Sequence, residues 1–150
     1  AGRIVPAMPA AGAVPDGEGT ITVFLADDVR ELRELIRVGL EEDADFEVVG
    51  EAADGRGAIE GVDLHAPHAV VLDLSMPDVD GFQAVLEIRS RRPEVAILVL
   101  SGFAADRMRK RVMEQGADGY IEKGTSMAQL RDLIRRAVAE RRGASDHSAV

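Results

Sequence analysis

Five short apolar runs, Ile21 to Ala26, Phe46 to Ala52, Ala69 to Leu74, Val95 to Leu100 and Gly119 to Glu122, recur along this chain with stretches of helical spacing between them. A run such as Ala96-Ile97-Leu98-Val99-Leu100 carries no polar alternation, so as a strand it needs cover on both faces, which is the habit of parallel sheets. Leu32, Leu35, Ile36 and Leu40, then Ala84, Val85 and Ile88, then Leu130, Leu133, Ile134, Ala137 and Val138 recur at helical spacing and predict three amphipathic helices. Gly55 to Leu64 and Ala104 to Gln115 are weaker helical candidates. In the first, Gly57 and Gly61 each cost about 1 kcal/mol relative to alanine in a helix interior. Right-handed crossovers between consecutive strands put helices on both sides, so the pattern predicts an α/β domain with a doubly wound five-stranded parallel sheet.

A chain of 150 residues holds one ordinary domain with a real core and is short for two. Residues 1–19 carry Ala, Gly and Pro without apolar periodicity and read as a flexible leader or an expression remnant. The domain is expected over 20–142, and the small, polar residues 143–150 read as a flexible tail. No run approaches the roughly 20 apolar residues of a membrane span, and the Ala-rich start lacks the basic and apolar regions of a signal peptide. With no cysteine there is neither a disulfide scaffold nor a thiolate metal site, so the expected location is the cytoplasm, away from membranes.

The net charge of -9 argues against direct nucleic-acid binding, but its distribution is uneven. Asp27 to Asp54 holds 11 acidic and 3 basic residues, whereas Ala105 to Arg142 holds 6 acidic and 10 basic. Arg107, Arg109, Lys110, Arg111, Arg131, Arg135 and Arg136 fall on the last two helices. They read either as a solvated, salt-bridged face or as a docking face, including one for a homodimer. His65, His68 and His147 have no ligand-like spacing and read as surface histidines.

The apolar runs also share an ending. Asp27 and Asp28 follow the first, Asp73 closes the third, Ser101 follows the fourth and Lys123 the fifth. In a parallel α/β sheet the carboxyl ends of the strands lie at one edge, where ligands bind, so these residues should meet in one cleft. Three crowded carboxylates repel, and protonation or a bound cation resolves the repulsion. Mg²⁺ suits such a site because it takes oxygen ligands, keeps several waters and commonly bridges carboxylates to a phosphate. Lys123 and Ser101 supply charge and a hydroxyl suited to a transferring phosphoryl group, and Asp73 a carboxylate nucleophile. The plainer alternative for Asp27 and Asp28 is a helix cap near Val29, and for Asp73 a turn residue at the end of its strand.

Ala26-Asp27-Asp28, Leu72-Asp73-Leu74-Ser75-Met76-Pro77-Asp78-Val79-Asp80-Gly81, Ser101-Gly102 and Gly116-Ala117-Asp118-Gly119-Tyr120-Ile121-Glu122-Lys123 together resemble the receiver domain of bacterial two-component response regulators. The likeness spans about Ile21 to Arg141, and Glu51-Ala52-Ala53-Asp54-Gly55 resembles receivers attached to helix-turn-helix transcriptional output domains. The resemblance implies a flavodoxin-like (βα)5 fold with strand order 2-1-3-4-5. It implies that Asp73 accepts a phosphoryl group from a sensor histidine kinase or a histidine phosphotransfer protein. Asp28, Asp73 and the backbone carbonyl of Ser75 would bind Mg²⁺, with Asp27 acting through water; Lys123 would pair with the phosphoryl group. Ser101 and Tyr120 would be the switch residues, Ser101 standing where threonine is commoner, and Gly124 follows Lys123 where many relatives carry proline. Such a chain is not an enzyme with an external product: it catalyses only its own phosphorylation and dephosphorylation.

Other functions fit less well. An aspartyl phosphohydrolase needs a second acid two residues after its nucleophile, and Ser75 stands there. A flavin-binding protein needs a phosphate cradle in the first loop, where Asp27 and Asp28 would repel phosphate. A receiver that works without phosphorylation has no need of the full set Asp28, Asp73, Ser101 and Lys123.

Overall fold

The computed structural model describes residues 19–74, 76, 81–102 and 106–149, with side chains described for all of these except 106, 107 and 144–149. The expectations for a leader and for Ser75 as a ligand therefore lie outside the described residues, as does His147 for its side chain. Strands and helices alternate: β1 (Ile21–Ala26), α1 (Arg30–Glu41), β2 (Phe46–Ala52), α2 (Gly55–His65), β3 (Ala69–Asp73), α3 (Gly81–Arg91), β4 (Ala96–Ser101), α4 (Asp106–Glu114), β5 (Gly119–Glu122) and α5 (Met127–Ala149). The five strands are all parallel in the order β2-β1-β3-β4-β5, the doubly wound arrangement that the alternation predicts.

β3 and β4 occupy interior positions and are buried at every residue, which is why their sequences are continuously apolar. Successive side chains alternate across the sheet and fill two separate cores. On one face Val23, Leu25, Val71 and Leu98 pack against Ile36 and Leu40 of α1 and Leu130 and Ile134 of α5. On the other, Phe24, Val70, Leu72 and Val99 pack against Ile59 and Val62 of α2, Val85 and Ile88 of α3 and Val112 of α4.

The glycines that weaken α2 as a helix have a tertiary cause. A Cβ at Gly61 would lie 2.2 Å from the Phe24 ring, and one at Gly50 would lie 2.7 Å from it. The Phe24 ring therefore takes the space that side chains would need on both β2 and α2. Opposite it, β2 carries an irregularity, since Val23 pairs with Val48 but Phe24 with Gly50. Asp54 caps α2 by accepting from the Gly57 N–H at 2.7 Å, so the helix forms despite its glycines.

The helical backbone of α5 runs on through Gly143 to Ala149, further than its polar composition suggests. It starts at Ser126, whose Oγ accepts from the Gln129 N–H at 3.1 Å. Two of its arginines are committed inward: Arg131 donates to the Gly39 carbonyl at 2.8 Å and Arg135 to Asp43 at 2.6 Å. On α4, Arg111 stacks 3.7 Å over the Phe82 ring of α3. These three arginines thus hold helices together. His68, read from sequence as a surface residue, is half-buried: its Nδ1 accepts from the Thr22 N–H at 2.9 Å.

Candidate functional site

β1 carries Phe24, Leu25 and Ala26 into the core and is followed directly by Asp27, which is itself only 2% exposed. Three hydrogen bonds hold this residue. Its N–H donates to the Ala52 carbonyl (3.0 Å), its Oδ1 accepts from the Val29 N–H (2.9 Å), and its carbonyl accepts from Arg33 Nη1 (2.7 Å). The Oδ1 bond closes an Asx turn that swings the chain into α1. The capping alternative for the acidic pair is not what forms, because the N-cap position of α1 belongs to Val29, which makes no side-chain cap bond. Asp28 is exposed, on the rim of the site.

β3 ends on Asp73, which has no exposed surface. A buried carboxylate needs a partner, and Lys123, just past β5, approaches Asp73 Oδ2 with its Nζ at 3.2 Å. The Lys123 N–H in turn donates to the Ser101 carbonyl at 2.8 Å, fixing the turn after β5 against the end of β4. The four residues Asp27, Asp28, Asp73 and Lys123 thus converge as the strand endings predict.

Asp27, Asp28 and Asp73 each offer a carboxylate oxygen, and the three atoms lie within 4.8 Å of one another, the only such group among the described residues. At that spacing two ionised oxygens repel by roughly 3 kcal/mol at an effective dielectric of about 20. One ammonium cannot offset three such charges. Burial pushes the Asp27 carboxyl above its ordinary range; the Val29 N–H pulls it back, Asp73 and Asp28 raise it further, and Lys123 lowers it. The second carboxylate oxygen of Asp27, Oδ2, is buried without a hydrogen-bond partner in the described structure. An oxygen-only donor set with excess negative charge and an unsatisfied buried acceptor suits a hard divalent cation, so these residues fit Mg²⁺.

Ser101 is fully buried at the last position of β4, paired across the sheet with Glu122, and Tyr120 is half-buried opposite Val99. In the two-residue alternation Asp27 is in phase with Leu25, Asp73 with Val71 and Lys123 with Ile121, all in the core layer under α1 and α5. Ser101 is in phase with Val99, and Tyr120 packs into the same layer, under α2, α3 and α4. Among the strand residues, Asp73 is therefore in phase with the layer under α1 and α5, and Ser101 and Tyr120 with the layer under α2, α3 and α4. Sequence reading overlooked Arg33 and gave Glu51 no part in the site, yet their side chains pair at 2.9 Å beside the acidic cluster. A helix arginine and a strand-end glutamate carry no local signal; only the neighbouring acidic pair marks the place.

Residues 23–135 match the sequence profile of the response regulator receiver domain. The response regulator protein VraR of Staphylococcus aureus is 36% identical over 121 residues, an alignment covering 78% of this chain and 56% of that protein. The chain therefore spans little more than half the length of this relative. Among solved structures, a two-component response regulator of the LuxR family from Aurantimonas sp. SI85-9A1 is 31% identical with a TM-score of 0.77, over 82% of this chain and 88% of that one. The REC domain of AraT, a response regulator from Geobacillus stearothermophilus, is 28% identical with a TM-score of 0.73, over 84% and 98% of the two chains.

Proposed function

This chain belongs to the response regulator receiver domain family, and from that premise we propose that its Asp73 accepts a phosphoryl group from a phosphohistidine on a sensor kinase or phosphotransfer protein. One observation carries the reading: a fully buried carboxylate paired with an ammonium at 3.2 Å, next to two further carboxylates, one of which keeps a buried oxygen without a partner among the described residues. An Asp73 oxygen attacks phosphorus. The O–P bond forms as the N–P bond of the donor breaks, and the electron pair leaves with the imidazole nitrogen, which takes up a proton from solvent. Lys123 holds Asp73 in place and meets the negative charge on the transferring oxygens.

Asp28, Asp73 and the backbone carbonyl of Ser75 would hold Mg²⁺, with Asp27 reaching it through water. The cation supplies charge neutralisation between the carboxylates and the phosphoryl oxygens. Ser101 donates its hydroxyl to a phosphoryl oxygen, and Tyr120 moves into the space this releases; the readout is a shift in the β4-α4 and β5-α5 units. Water later hydrolyses the acyl phosphate. Among the described residues nothing lies within 4 Å of a Cβ at Gly102, which supports access of water there.

A hollow of about 420 Å³ beside Lys123, lined by Leu32, Leu35, Ile36, Met127 and Leu130, supports an apolar seat for the phosphodonor protein. Leu35 and Val38 on the same helix are 64% and 49% exposed, as a surface awaiting a partner would be. The likeness to a LuxR-family regulator supports an output in transcription control through a further domain or a partner, including a second copy meeting it through the last helices. No described helix is long and apolar enough to cross a membrane.

The test is treatment with acetyl phosphate and Mg²⁺, followed by intact-mass measurement. The expected result is a gain of one phosphoryl group that chelator prevents and Asp73→Asn abolishes. Labelling that persists in Asp73→Asn would refute the assignment.

A further inference from the structure

We propose that Arg33, anchored by Glu51, is a positioning residue that sets the spacing of the two carboxylates at the end of β1 by holding the peptide bond between them. The inference rests on the Mg²⁺-assisted reading above and assigns a role to residues outside the ligand set.

Arg33 lies in the first turn of α1, with its side chain 16% exposed. Its Nη1 donates to the Asp27 carbonyl at 2.7 Å while its Nε donates to Glu51 Oε1 at 2.9 Å. The other oxygen of Glu51 pairs with Arg37 Nε at 2.9 Å. The guanidinium is thus held by Glu51 at the end of β2, and Glu51 is itself held by a second arginine of α1. A peptide unit is planar, so fixing the direction of the Asp27 carbonyl also fixes the N–H and Cα of Asp28. Asp27 itself is already tied at its N–H and at Oδ1. Asp28 is exposed, and the peptide carrying it is turned by the Asx turn that encloses it and, among the described hydrogen bonds, by the direct grip of Arg33 on its carbonyl.

The effect is directional rather than electrostatic. The Arg33 charge is matched by Glu51, and the charged groups that act on the Asp27 carboxyl are Asp73, Lys123 and Asp28. What the guanidinium supplies is a donor in a set orientation, which a rigid, bidentate arginine does better than a lysine. Outer-shell partners of metal ligands act in this way, and removing one commonly weakens metal binding about tenfold.

The experiment measures Mg²⁺ affinity by calorimetry, together with the Mg²⁺ dependence of phosphoryl uptake from acetyl phosphate, for wild type, Arg33→Met, Arg33→Lys and Glu51→Gln. The expected result for Arg33→Met is a Kd raised about tenfold, with the loss seen in the Mg²⁺ concentration for half-maximal uptake rather than in the plateau rate. Arg33→Lys recovers part of the affinity, and Glu51→Gln loses less than Arg33→Met. A lowered melting temperature with unchanged Kd in Arg33→Met would mean a purely structural ion pair and overturn the proposal. If Arg33→Met does not fold, as judged by circular dichroism, Glu51→Gln decides, and an unchanged Kd in that variant overturns it. Wild-type protein that binds no Mg²⁺ would sink the underlying reading and the clamp with it; wild-type binding matched by both variants sinks the clamp alone.

Discussion

The same sheet ends in two opposite ways. At its carboxyl edge three carboxylates crowd together with Lys123 at 3.2 Å from Asp73, and among the described residues Asp27 Oδ2 is buried without a partner. At its amino edge, around the starts of β4 and β5, the charged groups are closely paired, although Gln115 Oε1 in the turn leading to β5 is buried without a partner among the described residues. Arg89 of α3 donates to the carbonyls of Gly116 (3.0 and 2.8 Å), Pro93 (2.9 Å) and Val95 (2.7 Å) and to Asp118 Oδ2 (2.7 Å). Asp118 also accepts from the Ile97 N–H and from Arg141 of α5, each at 2.8 Å. One edge is assembled to hold the domain together, and the other is left short of partners that a cation and a phosphoryl group can supply. A site built for binding is expected to store such strain, and the scaffold carries it because the Arg89, Asp118 and Arg141 network ties its other edge together.

If that contrast is right, damage at the amino edge should cost stability and spare the chemistry. Asp118→Ala removes the partner of Arg89 and Arg141 and leaves half-buried charge uncompensated, so it should destabilise by about 3 kcal/mol. Urea denaturation gives that number, while the Mg²⁺ Kd should match the wild type. A variant as stable as wild type, or one that loses Mg²⁺ binding without losing stability, would break the comparison.

Damage at the carboxyl edge should do the reverse. The folded protein binds the Asp27 proton more tightly than the unfolded chain does, because burial raises this carboxyl. Its contribution to stability is therefore full below the ordinary carboxylate range and is lost as pH rises through the raised value. Asp27→Asn removes that titration, so without Mg²⁺ it should be more stable than wild type at neutral pH by about 1 kcal/mol. The advantage should vanish toward about pH 4, where both side chains are neutral. Added Mg²⁺ should stabilise the wild type more than the variant, and equal effects on both would count against cation binding here.

Two smaller tests sharpen the picture of the amino edge. His68 Nδ1 accepts the Thr22 N–H, a bond that only the neutral ring can make, and burial lowers its proton affinity. The unfolded chain then takes up the proton first, so stability is full above about pH 6.5 and falls as pH drops through that value toward the lower folded one. The loss should reach about 1 kcal/mol as the bond breaks, and thermal melts against His68→Gln should show the pH dependence only in the wild type. Ala66, in the turn between α2 and β3, has φ +46°, a left-handed conformation costly for a side chain. Ala66→Gly should gain about 0.5 kcal/mol after the extra entropy of glycine in the unfolded chain, readable as a small rise in the urea midpoint.

Much of this was legible in the amino-acid order. Continuous apolar runs at β3 and β4, helical spacing at α1, α3 and α5, and a polar residue after each run were enough to place Asp27, Asp28, Asp73, Ser101 and Lys123 at one edge. Boundaries shifted by a residue, with β4 starting at Ala96 rather than Val95 and taking in Ser101. The glycines of α2 looked like weakness, because local propensity cannot register that Phe24, far earlier in the chain, fills the space above Gly61.

Periodicity and strand endings determined the layers, the parallel sheet and the edge where the chemistry sits, since each is set by where a side chain falls in a repeat of two or of about 3.6 residues. Only the tertiary structure decided which polar groups meet. Arg33 with Glu51, Arg89 with Asp118, Thr22 with His68 and Arg135 with Asp43 are separated by 18, 29, 46 and 92 positions. Nothing in a local repeat names such partners, because hydrogen bonding is a matter of a few tenths of an ångström in three dimensions and the repeat specifies only the face.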